Sequence, residues 1–117
     1  RVVKPGGLIV CASECRDGIP DHGSYSEILS SRPDPASLMQ MIETPGYSEP
    51  DQWQVQIQAK IQMHAQVLVK TDRLSDAQLQ AAHFEAIDDI QAVVDAADGD
   101  ATICVLPEGP QTIPYIS

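Results

Sequence analysis

Aromatic side chains are scarce in this chain: one Trp, one Phe and three Tyr make up 4% of its 117 residues. Its core must therefore rest on Val, Ile, Leu, Met and Ala. Basic residues are also few, 7 against 17 acidic ones, and the formal net charge is −10. A surface this negative repels phosphate backbones and anionic headgroups, which argues against nucleic acid and membrane surfaces as partners. Long apolar runs are missing. The longest, Leu8–Ala12, falls far short of the ~20 residues of a membrane span, and no signal-peptide pattern is present. Cysteines number three, an odd count whose spacing fits no zinc pattern. A reduced, cytoplasmic compartment is the simplest account. Cys11 and Cys104 lie in apolar runs and are expected as small core residues.

What remains is an ordinary globular composition, 43% hydrophobic and 21% charged, at a length that suits one domain with a real core. Leu8–Ala12 follows a Gly-Gly break and predicts a strand buried on both faces, as in a parallel sheet. Val67–Val69 predicts a second strand and Ala101–Leu106 a third, with Phe84–Ile87 as a weaker fourth. Arg1–Lys4, basic and stopped by Pro5-Gly6-Gly7, predicts the last turn of a helix. With a first residue that is not Met, this suggests a processed product or, more in keeping with that helix tail, an excised piece.

Helical signals fill the gaps between strands. Ser24–Ser31 follows Gly23. Asp34 as N-cap and Pro35 at the first helical position open a helix carrying Leu38, Met41 and Ile42, which Pro45-Gly46 stops. Trp53–Ala65 alternates apolar and polar residues as a strand would, yet also places Trp53, Ile57, Ile61 and Ala65 at helical steps. The start signature Ser48-Glu49-Pro50-Asp51 and the excessive length for a strand decide for helix. Ser75–Gln78 opens another helix. Asp88-Asp89-Ile90 opens a last one, with Ile90, Val93 and Val94 as its buried stripe and Gly99 as its stop. This alternation predicts a single α/β domain over residues 1–117. Its architecture is a small three-layer sandwich, Rossmann-like, with a mostly parallel sheet of three to four strands flanked by helices.

Ligands of open parallel sheets gather beyond the strand carboxyl ends. Here those ends lead into the loop Ser13–Gly23, into Thr71-Asp72-Arg73 and into Pro107–Pro110. The first is richest in titratable groups. Glu14, Asp17 or His22 could face a site there, but Asp17-Gly18 also suits a plain turn in a solvated acidic loop. Cys15, Asp17, Asp21 and His22 are too mixed and irregularly spaced to read as a metal site. Trp53, the only Trp, stands at a helix start. It can wall a ligand site or pack on its own core. No nucleophile elbow, phosphate-binding Gly loop or His-x-x-x-His pair is present.

Three stretches taken together carry a resemblance. They are Val2-Val3-Lys4-Pro5-Gly6-Gly7-Leu8-Ile9-Val10, then Asp51-Gln52-Trp53 with Gln56-Ile57, and Val105-Leu106-Pro107-Glu108-Gly109-Pro110-Gln111-Thr112-Ile113-Pro114. In this order they resemble the C-terminal domain of the nickel-dependent lactate racemase family, over nearly the whole chain. The resemblance implies interconversion of the two configurations of a small 2-hydroxy acid such as lactate. It implies a nickel pincer nucleotide whose pyridinium ring takes and returns a hydride. The nickel ligands, the cofactor-bearing Lys and the catalytic His pair belong to the N-terminal domain of the same polypeptide, so no cofactor and no catalytic residue falls in this chain. The family's substrate-contacting Gln and Lys precede the Lys-Pro-Gly-Gly turn and lie upstream of Arg1. What the resemblance leaves here is a lid or substrate-side domain, inactive alone, with Trp53 lining the site. Asp17 and Gly18 are further candidates, although Ile19-Pro20 departs from the family's Gly- and His-rich loop. The alternatives are a non-catalytic binding module that reuses the fold and a small independent enzyme using the Ser13–Gly23 loop.

Overall fold

The computed structural model describes residues 2–112 and 114. Its elements, in order, are β1 (Gly7–Ala12), α1 (Tyr25–Ser30), α2 (Pro35–Ile42), α3 (Gln52–His64), β2 (Ala65–Lys70), α4 (Asp76–Ala81), β3 (Glu85–Ala86), α5 (Ile90–Asp95) and a 3₁₀ turn (Gly109–Gln111). One three-stranded sheet has the order β1-β2-β3, parallel throughout. The register aligns Gly7 with Ala65 and Ala12 with Lys70. This is the helix-flanked parallel sheet that the alternating pattern predicts. No helix among the described residues is long and apolar enough to cross a membrane.

Capping chemistry sets the helix starts. Asp34 stands at the N-cap of α2 with Pro35 behind it, and its Oδ1 accepts from the Ser37 N–H at 2.8 Å. Ser75 and Gln78 form a capping box at α4. The main core lies between helices, where Ile28, Leu29, Leu38, Met39, Ile42, Val55, Ala59 and Ala82 are buried together. Leu38 and Val55 have no exposed surface. Tyr25 Oη donates to Gln58 Oε1, and Gln58 Nε2 donates to the Ala82 carbonyl at 2.8 Å. Gln62 Nε2 reaches the His83 carbonyl at 2.8 Å. These amides satisfy polar backbone at the α4–β3 turn, so α3 turns a partly polar face inward.

Several expectations are corrected. Ala101–Leu106 forms no strand and is exposed throughout. The crossover helix before it, α5, has only six residues and buries none of them, so nothing carries the segment back onto the sheet. The expected stripe accordingly stays open: Ile90 and Val93 are half-buried and Val94 is exposed. α5 also ends at Asp95, well before Gly99. β1 is not buried on both faces. Among the described residues it is an edge strand paired only with β2, and its side chains Leu8 and Cys11, on opposite faces, are exposed. Cys104 lies in the exposed segment, so neither Cys11 nor Cys104 is a core residue. Residues 2–4 are not helical. Instead Lys4-Pro5-Gly6-Gly7 makes a tight turn, closed by Gly7 N–H to the Lys4 carbonyl at 2.9 Å, with Gly6 at φ +73°.

Candidate functional site at the strand carboxyl ends

Two hydrogen bonds fix α3 along the sheet. At its end, the His64 carbonyl accepts from the Gly6 N–H at 2.8 Å, just before β1 begins. At its start, Asp51 Oδ2 accepts from the Ser24 N–H at 3.1 Å, in the loop that follows β1. α3 therefore runs opposite to the strands, as a crossover between parallel strands requires. Thirteen helical residues span about 20 Å and six strand residues about the same, so the start of α3 lies level with the strand carboxyl ends. Trp53 is in the first turn there, and 59% of it is exposed.

α3 begins at Gln52, one residue before the predicted Trp53–Ala65 segment, but Ser48 of the start signature does not cap it. Asp51 is the N-cap, in the left-handed region at φ +63°, and its carboxylate makes no bond to its own helix. Gln52 serves locally instead, its Oε1 accepting from the Glu49 N–H at 2.8 Å. The stripe of Trp53, Ile57 and Ile61 faces outward, while Val55 and Ala59 face the core.

The ends of β1 and β2 are joined beside this helix start. Ser13 N–H donates to the Lys70 carbonyl at 3.1 Å, and Thr71 Oγ1 donates to the Glu14 carbonyl at 3.3 Å. Lys70 Nζ contacts Asp72 Oδ1 at 2.9 Å. That bond raises the lysine pKa and lowers the aspartate's, and Asp88 adds to the effect on Lys70. With Asp72 largely in solvent, the pair is screened and contributes little to stability.

Asp17 and Gly18 lie farther back in the same loop. Gly18, at φ +72°, donates its N–H to the Cys15 carbonyl at 3.0 Å, closing the turn that Asp17-Gly18 predicts. Both residues are exposed. His22 is exposed beside Asp21, 3.9 Å away. No three His, Cys, Asp or Glu side chains among the described residues converge to hold a metal ion. Pro107–Pro110, expected at a strand end, is not at one, because the strand before it does not form. Two shallow concavities lie outside this cluster of loops. One, of about 300 Å³, includes Ala65, Gln66 and Glu85 at the amino ends of β2 and β3; the other, of about 540 Å³, is bordered by Arg32, Met41 and Tyr47. Neither includes Trp53. The residue that the sequence reading misses as a site element is Asp51. Nothing local in the sequence signals a bond to a residue 27 positions earlier.

A parallel sheet flanked by helices, with polar loops and an open indole at its carboxyl edge, defines an α/β domain. A family model described as the Lactate racemase C-terminal domain matches residues 1–113, and the chain belongs to that family. It is 32% identical to the lactate racemase of Thermoanaerobacterium thermosaccharolyticum, over 94% of this chain and 27% of that protein. It is 31% identical to the lactate racemase of Lactiplantibacillus plantarum, over 91% of this chain and 26% of that protein. The solved lactate racemase apoprotein from T. thermosaccharolyticum superposes with a TM-score of 0.68 at 29% identity, covering 79% of this chain and 22% of that one. The chain spans about a quarter of the length of the curated relatives it matches.

Proposed function

We propose that this chain is the substrate-side lid domain of a cytoplasmic racemase or epimerase of lactate or a related small 2-hydroxy acid. In this reading it acts with the N-terminal domain of the same polypeptide and is inactive alone. The observation that carries the reading is the exposure of Trp53 at the carboxyl edge of the sheet, in a chain that belongs to the lactate racemase C-terminal domain family. A flat apolar indole there can wall a ligand and exclude water from the reacting carbon when the domains close. In this reading the ligands of a nickel pincer nucleotide belong to the N-terminal domain of the polypeptide, as the family resemblance implies, and this chain's own contribution is closure. In this reading Asp17 and Gly18, in the loop after β1, form part of the rim of the closed site.

The test is Trp53→Ala in the full-length protein, with racemisation of lactate and of related 2-hydroxy acids as readout. Turnover falls roughly ten- to hundredfold, the range expected when a positioning contact is lost, while the circular dichroism spectrum and melting temperature stay as in the parent. Unchanged kinetics on every substrate the parent accepts would remove Trp53 from the site.

A further inference from the structure

Asp51 occupies a position whose local chemistry it declines. An aspartate at an N-cap ordinarily adopts extended backbone and accepts from its own helix. Here it sits at φ +63°, a conformation unfavourable for a residue with a Cβ, and its carboxylate makes no capping bond. It reaches across instead, and Oδ2 accepts from the Ser24 N–H at 3.1 Å. The preceding residue, Gly23, is at φ +75°, and a methyl built on it overlaps the same Oδ2. The chain thus combines a residue without a side chain, a backbone donor and a left-handed acid at one point. That point ties the loop after β1 to the first turn of α3. Trp53 is two residues further on, more than half of it exposed.

We propose that Asp51 is a positioning residue for Trp53. Its carboxylate locks the start of α3 to the Gly23-Ser24 backbone, and that lock fixes where the indole projects from the sheet edge. Gly23 is the second half of the device, because no other side chain leaves room for Oδ2. The consequence for function rests on the reading of Trp53 as a wall of the substrate site; the geometric claim does not.

Full-length protein labelled with 5-fluorotryptophan separates the two. The Trp53 resonance is assigned as the one lost in Trp53→Phe. Asp51→Gly keeps the left-handed backbone and removes the acceptor. Asp51→Asn also tolerates that backbone and keeps an oxygen that can accept from Ser24. Gly23→Ala attacks the contact from the other side and stands in should Asp51→Gly fail to fold. The expected result is that Asp51→Gly and Gly23→Ala shift or broaden the Trp53 fluorine signal and lower kcat about tenfold, whereas Asp51→Asn leaves both near the parent. A Trp53 signal unmoved in folded Asp51→Gly or Gly23→Ala protein overturns the proposal, as does Asp51→Asn behaving like Asp51→Gly. A signal that moves while turnover stays constant upholds the positioning role and overturns the placing of Trp53 in the site.

Discussion

Asp34 is the residue at which sequence and structure agree most directly. Its Oδ1 accepts from the Ser37 N–H and its Oδ2 from the Ser37 hydroxyl, each at 2.8 Å. These bonds favour the ionised form and hold its pKa below the ordinary 3.8, the Ser37 backbone N–H being the largest cause. A carboxyl depressed in the folded state contributes stability that is present above its unfolded value and disappears as pH falls through its folded one. Asp34→Ala is therefore expected to lower the melting temperature at neutral pH, with the gap from the parent closing as the pH drops below 3.8. Thermal melts of both proteins across that range measure it; a gap that stays constant would mean that the ionised cap contributes nothing. Asp34 and Pro35 were legible because a cap acts within one turn, on groups adjacent in sequence. Asp51 was not, because its partner is brought near only by the crossover of the fold.

At the scale of the element, α3 shows how a periodicity can name the right structure without naming its buried face. The apolar residues Trp53, Ile57 and Ile61 at helical spacing point outward, and the inner face mixes Val55 and Ala59 with Gln58 and Gln62. Apolar spacing identifies the helix, but which side is buried depends on which neighbours need hydrogen-bond partners. Here the carbonyls of Ala82 and His83 draw in the glutamines. In α2, Leu38 and Ile42 of the predicted stripe are buried, while Met41 is only half-buried and Met39 is buried in its place. The difference is measurable. In the isolated chain, Leu38→Ala removes a fully buried side chain and should cost about 2–5 kcal/mol. Ile57→Gln, at a position 52% exposed, should stay within about 0.5 kcal/mol of the parent. Denaturant unfolding of the two variants ranks the faces, and a large loss from Ile57→Gln would reverse the assignment of the inner side.

At the scale of the whole molecule, the chain is more spread out than its length requires. Its radius of gyration is 15.2 Å, against about 13 Å for a compact domain of this size. The cause lies after β3, where α5 buries nothing and the segment from Ala101 to Leu106 lies open with Ile103, Val105 and Leu106 exposed. The composition of that segment suits an internal strand, and this is why it reads as one. What the composition cannot convey is whether a crossover helix long and apolar enough to deliver it has been built. Here α5 is too short, and among the described residues no strand pairs with the outer edge of β1. Thr102 to Leu106 donate no backbone hydrogen bond to another described residue, and the nearest such bond is Ala101 N–H to the Asp98 carbonyl at 2.8 Å. Amides lacking an internal acceptor exchange without an opening step. Hydrogen exchange of the isolated chain should therefore find Thr102–Leu106 at nearly the rates of an unfolded peptide, while Leu68 and Val69 in the middle strand are slowed by orders of magnitude. Protection of the C-terminal segment to the level of β2 would mean that a fourth strand has docked in solution, and the sheet would then be larger than three strands.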